Sequence, residues 1–464
     1  MEPRILKLLL LLLNPHSRHS QVTASLPALP FPNKALPTKS GYLPVTTTSK
    51  TSSSIFYAFY EAENPILPLP NTPILIWLQG GPGCSSLYGN FLELGPWLLK
   101  QDPKHPKSFL LESNPTAWNR IFGVLFLDNP IGSGFSTASV SEIPTDHISV
   151  AKHLYIAITR FVDSDQHQTS SFRSRPVYIA GESYAGKYVP AIGHYILKKN
   201  ARVSDERRRI NLAGIAIGNG LTDPLTQVGT HASNAYFSGL VNDRQRKELE
   251  RLQADVARLV AAGKWREATR ARYKVIDSLY AMTGLATLYD FTRRGTYRMI
   301  GAVTEFLNDE TVKRALGADE TAAFRGCNEE VKAALEGDTM KSVKYAVEEL
   351  VRKSRVLLYQ GMFDLWDGVV STEAWVRTVE WEGTARFLEA ERKVWRDGKG
   401  ELAGYVQRWG NLSNVVVYGA GHLVPVDQPV NSQAMIEDWV LGRGLFEDVK
   451  EEVDSEDLNL SLFD

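Results

Sequence analysis

Six short apolar runs punctuate this chain, at residues 74–78, 123–127, 177–180, 212–217, 356–359 and 415–418, and each ends in a glycine-rich or polar loop. A strand with one solvated face alternates apolar and polar side chains, whereas a continuous run needs cover on both faces. Helical patterns lie between several of the runs, as at residues 189–199. That alternation predicts an α/β fold with a mainly parallel central sheet and helices on both faces. Residues 41–45 and 55–60 flank a Thr/Ser-rich loop and read as an antiparallel hairpin at the sheet edge.

One stretch breaks the rhythm. Residues 242–274 hold ten basic and five acidic side chains. Within it Leu249, Leu252, Val256, Leu259 and Val260 fall at helical spacing. The pattern predicts an inserted pair of amphipathic helices, part of a helical cap spanning about 235–310.

The ends differ from the body. Arg4 and Lys7 precede six leucines at 8–13, and small residues follow around Val22-Thr23-Ala24, the layout of a signal peptide over 1–24. Residues 25–39 include Pro27, Pro30, Pro32 and Pro37 and read as a leader or pro-segment. Residues 447–464 hold eight acidic side chains and one lysine, so 446–464 reads as a solvated acidic tail. A single domain over 40–445 remains. No later stretch approaches the roughly 20 apolar residues of a membrane helix.

Composition narrows the function. With 52 basic and 53 acidic residues there is no global positive field to neutralise phosphates, so nucleic acid is not an expected partner. Two cysteines exclude a disulfide scaffold and a four-thiolate zinc site. Gly80-Gly81-Pro82-Gly83 lacks the Lys-Ser/Thr ending of a phosphate loop, and Gly218-Asn219-Gly220 is an incomplete dinucleotide fingerprint that reads as a tight turn near the site. No cofactor and no metal are expected.

The run at 177–180 leads into Gly181-Glu182-Ser183-Tyr184-Ala185-Gly186, and a helix follows. This is a nucleophile-elbow pattern with alanine for the second glycine. Small residues on either side of the serine allow a sharp turn that lifts the hydroxyl above the sheet. The turn also aims the Tyr184 amide at a developing oxyanion. Such a serine needs a base. Of nine histidines, His422 alone sits in a glycine-flanked loop directly after an apolar run. The third member of a Ser–acid–His order falls between them, and Asp364 follows the run at 356–359. Asp367 competes with it on spacing. The adjacent glycines after the run at 74–78 suit a second oxyanion amide.

These residues resemble the serine carboxypeptidases. The matching strings are Trp77-Leu78-Gln79-Gly80-Gly81-Pro82-Gly83-Cys84-Ser85-Ser86, Asp128-Asn129-Pro130-Ile131-Gly132-Ser133-Gly134-Phe135-Ser136 and Gly181-Glu182-Ser183-Tyr184-Ala185-Gly186. Ile217-Gly218-Asn219-Gly220-Leu221-Thr222-Asp223-Pro224 and Gly421-His422-Leu423-Val424-Pro425 complete the set, in the family's order. The resemblance implies an α/β-hydrolase fold and removal of C-terminal residues from peptides and proteins. It implies Ser183 as nucleophile, Asp364 as orienting acid and His422 as base, with the amides of Gly81 and Tyr184 as the oxyanion hole. It implies that Glu93 and Glu182 hold the substrate's C-terminal carboxylate together with the family's asparagine. That asparagine is Gln79 here, one methylene longer. It implies a Cys84–Cys327 disulfide, which fits a secretory route to the extracellular space, vacuole or lysosome. Asn411 and Asn459 head glycosylation sequons.

Two carboxylates facing a third would repel it if all were ionised, so a shared proton is expected on the pair and best activity at acidic pH. Two other functions stand beside peptidase. Some plant relatives move acyl groups from activated esters, but those often carry aspartate before the nucleophile, where this chain has Glu182. A non-catalytic binding protein on the same scaffold is the other.

Overall fold

A computed structural model describes residues 31–47, 52–104, 108–164 and 172–447. The expected signal peptide, residues 25–30 of the expected leader, nearly all of the acidic tail and Asn459 lie outside the described residues. The strands are β1 (Lys39–Thr47), β2 (Ser52–Tyr60), β3 (Ile74–Leu78), β4 (Trp97–Gln101), β5 (Phe109–Ser113), β6 (Gly123–Leu127), β7 (Val177–Glu182), β8 (Leu212–Gly218), β9 (Arg355–Gly361), β10 (Arg392–Arg396), β11 (Leu402–Trp409) and β12 (Leu412–Val417). Ten of them form one sheet, in the order β1-β2-β6-β3-β7-β8-β9-β12-β11-β10. The six central strands, from β6 to β12, are parallel, and the two at each edge pair antiparallel.

Every continuous apolar run of the sequence is one of these central strands. Their side chains divide by parity between two cores. Ile74, Ile76, Ile179 and Leu358 pack on one face, with α1 (His147–Asp163) and α2 (Ala185–Asn200). Leu75, Trp77, Ala180 and Tyr359 pack on the other, against Met435, Ile436 and Trp439 of the C-terminal helix Pro429–Leu441. A polar residue at either parity would be buried without a partner, which is why the runs are unbroken.

α2 starts directly after the elbow and contains Pro190. Proline there removes the amide that would bond Gly186 O, and the Thr222 hydroxyl donates to that carbonyl at 3.0 Å instead.

The basic stretch forms α3 (Asp243–Ala261) and α4 (Trp265–Thr283), which pack on each other. Asn242 and Gln245 close the start of α3 with a reciprocal capping box, and Gly284 ends α4 in the left-handed region. Leu249 and Val256 face Ala268, Val275, Ile276 and Leu279 in a separate small core that also takes in Leu365. Leu252, Leu259 and Val260 pack at its margin.

Candidate active site

All the loops that carry site residues leave the carboxyl ends of the parallel strands, where such sheets place their ligands. Gln79, Gly80 and Gly81 follow β3, Ser183 follows β7, Asn219 follows β8, Asp364 follows β9 and His422 follows β12.

Ser183 has φ 61°, a strained value for a residue with a Cβ. Its amide donates to Gly218 O at 2.9 Å, and its carbonyl accepts from Gly186 and Leu221. The turn is thus held from both neighbouring elements. Gly80 lies directly on it: a Cβ there would stand 2.6 Å from Tyr184 N and 2.7 Å from Ser183 Cβ. Gly81 has φ 109°, open to glycine alone. Together these place the 80–81 loop against the Tyr184 amide.

His422 Nδ1 meets Asp364 Oδ2 at 2.7 Å. Asp364 is also held by Asn219 Nδ2 at 2.7 Å on the same oxygen and by the Trp366 amide at 2.7 Å on the other. Asp367 does not reach the imidazole; it pairs with Arg272 at 3.3 Å and accepts from Gln227. The geometry thus separates two aspartates that spacing alone left level. Burial alone lowers the imidazole pKa of His422, but the charge and hydrogen bond of Asp364 outweigh it and raise the value above the ordinary one. His422 Nε2 is buried without a hydrogen-bond partner among the described residues. The Tyr289 ring stacks on the imidazole, with centroids 4.3 Å apart, and its carbonyl accepts from His422 N at 2.6 Å.

Gln79 lies between the two glutamates. Its Nε2 donates to Glu182 Oε1 at 2.7 Å and to Glu93 Oε1 at 3.3 Å, while its Oε1 accepts from Trp77 Nε1 at 2.9 Å. Both amide hydrogens are therefore engaged by the carboxyls, and the extra methylene is absorbed in reaching them. Glu93 and Glu182 are 3% and 1% exposed, and Oε2 of each is buried without a hydrogen-bond partner among the described residues. Burial pushes the Glu93 carboxyl up to about 7. Burial, and then the charge of Glu93, push Glu182 well above the carboxylate range.

Cys84 and Cys327 are bonded, and Ser85 N and Gly83 O make backbone bonds to Gly326 and Asn328 on either side. Asn411 lies at the opposite end of β12 from His422. Its side-chain amide donates to Val351 O at 2.8 Å, and Ser413 is buried, so the nitrogen a glycan would occupy is already bonded within the fold. Among the described residues no cluster of His, Cys, Asp and Glu is placed to hold a metal ion. No helix among them is long and apolar enough to cross a membrane.

Three participants carried no local signal that named their partners. Asn219 sits between two glycines at φ 43°, a conformation asparagine tolerates, yet nothing nearby points to Asp364. Tyr289 and Arg272 meet the site only through tertiary packing.

The serine carboxypeptidase family model matches residues 27–442. The chain belongs to the serine carboxypeptidase family. Serine carboxypeptidase-like 50 of Arabidopsis thaliana is 56% identical over 428 residues, which span 92% of this chain and 93% of that protein. Probable serine carboxypeptidase CPVL of Homo sapiens is 32% identical over 426 residues, 89% of this chain and 85% of that protein. The crystal structure of Kex1(delta)p, a prohormone-processing carboxypeptidase from Saccharomyces cerevisiae, covers 87% of this chain and 90% of its own, with a TM-score of 0.76 at 23% identity. That likeness shows the fold. As a serine carboxypeptidase the chain is an enzyme on an α/β-hydrolase scaffold, and the family's activity implies peptide substrates.

Proposed function

We propose that the protein removes C-terminal residues from peptides through an acyl-enzyme on Ser183, best at acidic pH, after delivery along the secretory route to the extracellular space, vacuole or lysosome. In this scheme His422 Nε2 takes the Ser183 proton as the hydroxyl attacks the scissile carbonyl. Asp364 holds the imidazole tautomer and stabilises the imidazolium. The amides of Gly81 and Tyr184 receive the oxyanion. His422 returns its proton to the leaving amine, and water then attacks the ester by the same route.

The observation that carries this reading is the buried Gln79–Glu93–Glu182 cluster beside the elbow. A hydrolase that cuts within chains has no use for it. An exopeptidase must bind a carboxylate, and a carboxyl kept protonated donates to one where a carboxylate repels it. Because burial raises both glutamates, the proton is held through acidic pH and lost as pH rises through about 7 for Glu93.

The test is kcat/KM for a blocked dipeptide with a free carboxylate, and for its C-terminal amide, between pH 4 and 8. Preference for the free acid at pH 5, declining through neutrality by a rise in KM, is expected. A plateau above pH 7, or equal use of acid and amide, sinks the reading. A parallel assay with a glucose ester and an alcohol acceptor distinguishes acyl transfer.

A further inference from the structure

We propose that Arg272, on the inserted helix pair, is a positioning residue for the triad: through Asp367 it fixes the loop that presents Asp364 to His422. The inference rests on the carboxypeptidase reading of the site.

Arg272 is on α4 and its side chain is 3% exposed; that of Asp367 is 2% exposed. Arg272 Nη2 meets Asp367 Oδ2 at 3.3 Å and Oδ1 at 3.4 Å, and Gln227 Nε2 donates to Oδ1 at 3.3 Å. The Asp367 amide donates at 3.2 Å to Asp364 Oδ2, the oxygen that faces His422 Nδ1. The preceding amide, of Trp366, takes Asp364 Oδ1, and the Arg272 guanidinium lies 5.8 Å from the Trp366 ring centroid. Two consecutive amides therefore clamp the triad carboxylate, and Arg272 engages both residues that carry them.

A buried ion pair is a poor source of net stability, because desolvation offsets much of its attraction. Its position is better explained by orientation. The groups around Asp367 are Arg272, Asp364, His422 and Tyr289, with His231 and Tyr280 close behind. Among them Arg272 alone keeps its charge at every pH, so it holds the Asp367 side chain whether that carboxyl is ionised or, raised by burial, protonated. Held on Arg272 and Gln227, the Asp367 side chain stays off the imidazole, and its amide is left to position Asp364. The pair is also where the inserted helices touch the triad loop, so a displacement of α4 is transmitted to Asp364.

The experiment measures two rates: hydrolysis of a blocked dipeptide, and labelling of Ser183 by a fluorophosphonate, which uses the triad without the carboxylate site. Both are read below each variant's unfolding temperature. Arg272→Met is expected to lower kcat and the labelling rate about tenfold or more, with KM within about twofold. Arg272→Lys keeps the charge but loses the guanidinium over Trp366, so it is expected to retain more of both rates than Arg272→Met while staying below wild type. A folded Arg272→Met with both rates within about twofold of wild type overturns the proposal. Where Arg272→Met does not fold, the neutral Arg272→Gln/Asp367→Asn variant is judged by the same two thresholds. A wild type that labels but cleaves no blocked peptide rejects the carboxypeptidase reading, and the labelling rates still decide the role of Arg272.

Discussion

Glu93 carries a proton-dependent decision within one side chain. Burial raises it, and its neighbour Glu182 cannot ionise beside it without repulsion. Under the proposed function the cluster binds a substrate carboxylate while it keeps a proton and repels one when it loses it. Glu93→Gln fixes a neutral donor in that place. The expected result is a flatter alkaline side: at pH 7.5 the variant's KM falls at least about threefold below wild type, while at pH 4.5 the two stay close. Steady-state kinetics at the two pH values decide it, and a variant that keeps the wild-type rise in KM counts against the proton as the cause. Gln79 adds to the same logic. Both its amide hydrogens go to the glutamates. It orders the two carboxyls against each other.

At the scale of elements, the site depends on how closely the loop after β3 rests on the elbow after β7. β3 and β7 are direct neighbours, so the two loops leave the sheet side by side. A Cβ at Gly80 would enter the elbow backbone, and neither neighbour is a flexible side chain that gives way. Gly80→Ala is expected to lower kcat about 100-fold, because a displacement near 1 Å at reacting groups has that effect. Gly295→Ala, with nothing within 4 Å of its Cβ, is the control and should leave kcat unchanged. Equal rates for the two variants would show that the elbow tolerates the shift. The central strands were legible in the sequence because burial on both faces forces an unbroken apolar run. β10 was not, since it is a largely exposed edge strand rich in Arg392, Lys393 and Arg396 that looks like a polar loop. The β4–β5 hairpin stands apart from the main sheet with partly exposed residues, and its pattern is equally weak. The places of Ser183, Asp364 and His422 at the carboxyl ends of strands were legible because each follows a strong strand signal. The partners Asn219, Tyr289 and Arg272 were not, because contacts that span 95 to 145 residues leave no local periodicity.

For the whole molecule, many buried titrating groups lean the same way. Burial raises Glu93 and Asp367 to about 7 and Asp128 to about 6, and Glu182 well above its ordinary value. A carboxyl raised by folding binds its proton more tightly in the folded state. Its contribution is complete below the unfolded value near 4 and is lost as pH rises through the folded one. His422, also raised, contributes below its unfolded value and loses that contribution as pH rises through the folded one. His231, lowered by burial to about 4, opposes them, as do His153 and His194, which burial also lowers. Their contribution is present above the unfolded value of about 6.5 and is lost toward acid. Asp338 is different again. Burial opposes its charge, but His147 and Lys187 hold it down at about 2, so its contribution persists until pH falls below about 4. Between pH 7.5 and 5 the raised carboxyls outnumber the lowered histidines, and the fold should gain stability as the solution is acidified. A rise in Tm of a few degrees over that interval is expected, followed by a fall below pH 4 as Asp338 protonates. Thermal unfolding across pH 3 to 8 measures it. Glu93→Gln should lose part of the rise, because one of the proton-binding groups is gone. A Tm that peaks at or above pH 7.5 would mean that the histidines dominate, and that the acidic preference of the site is not shared by the fold around it.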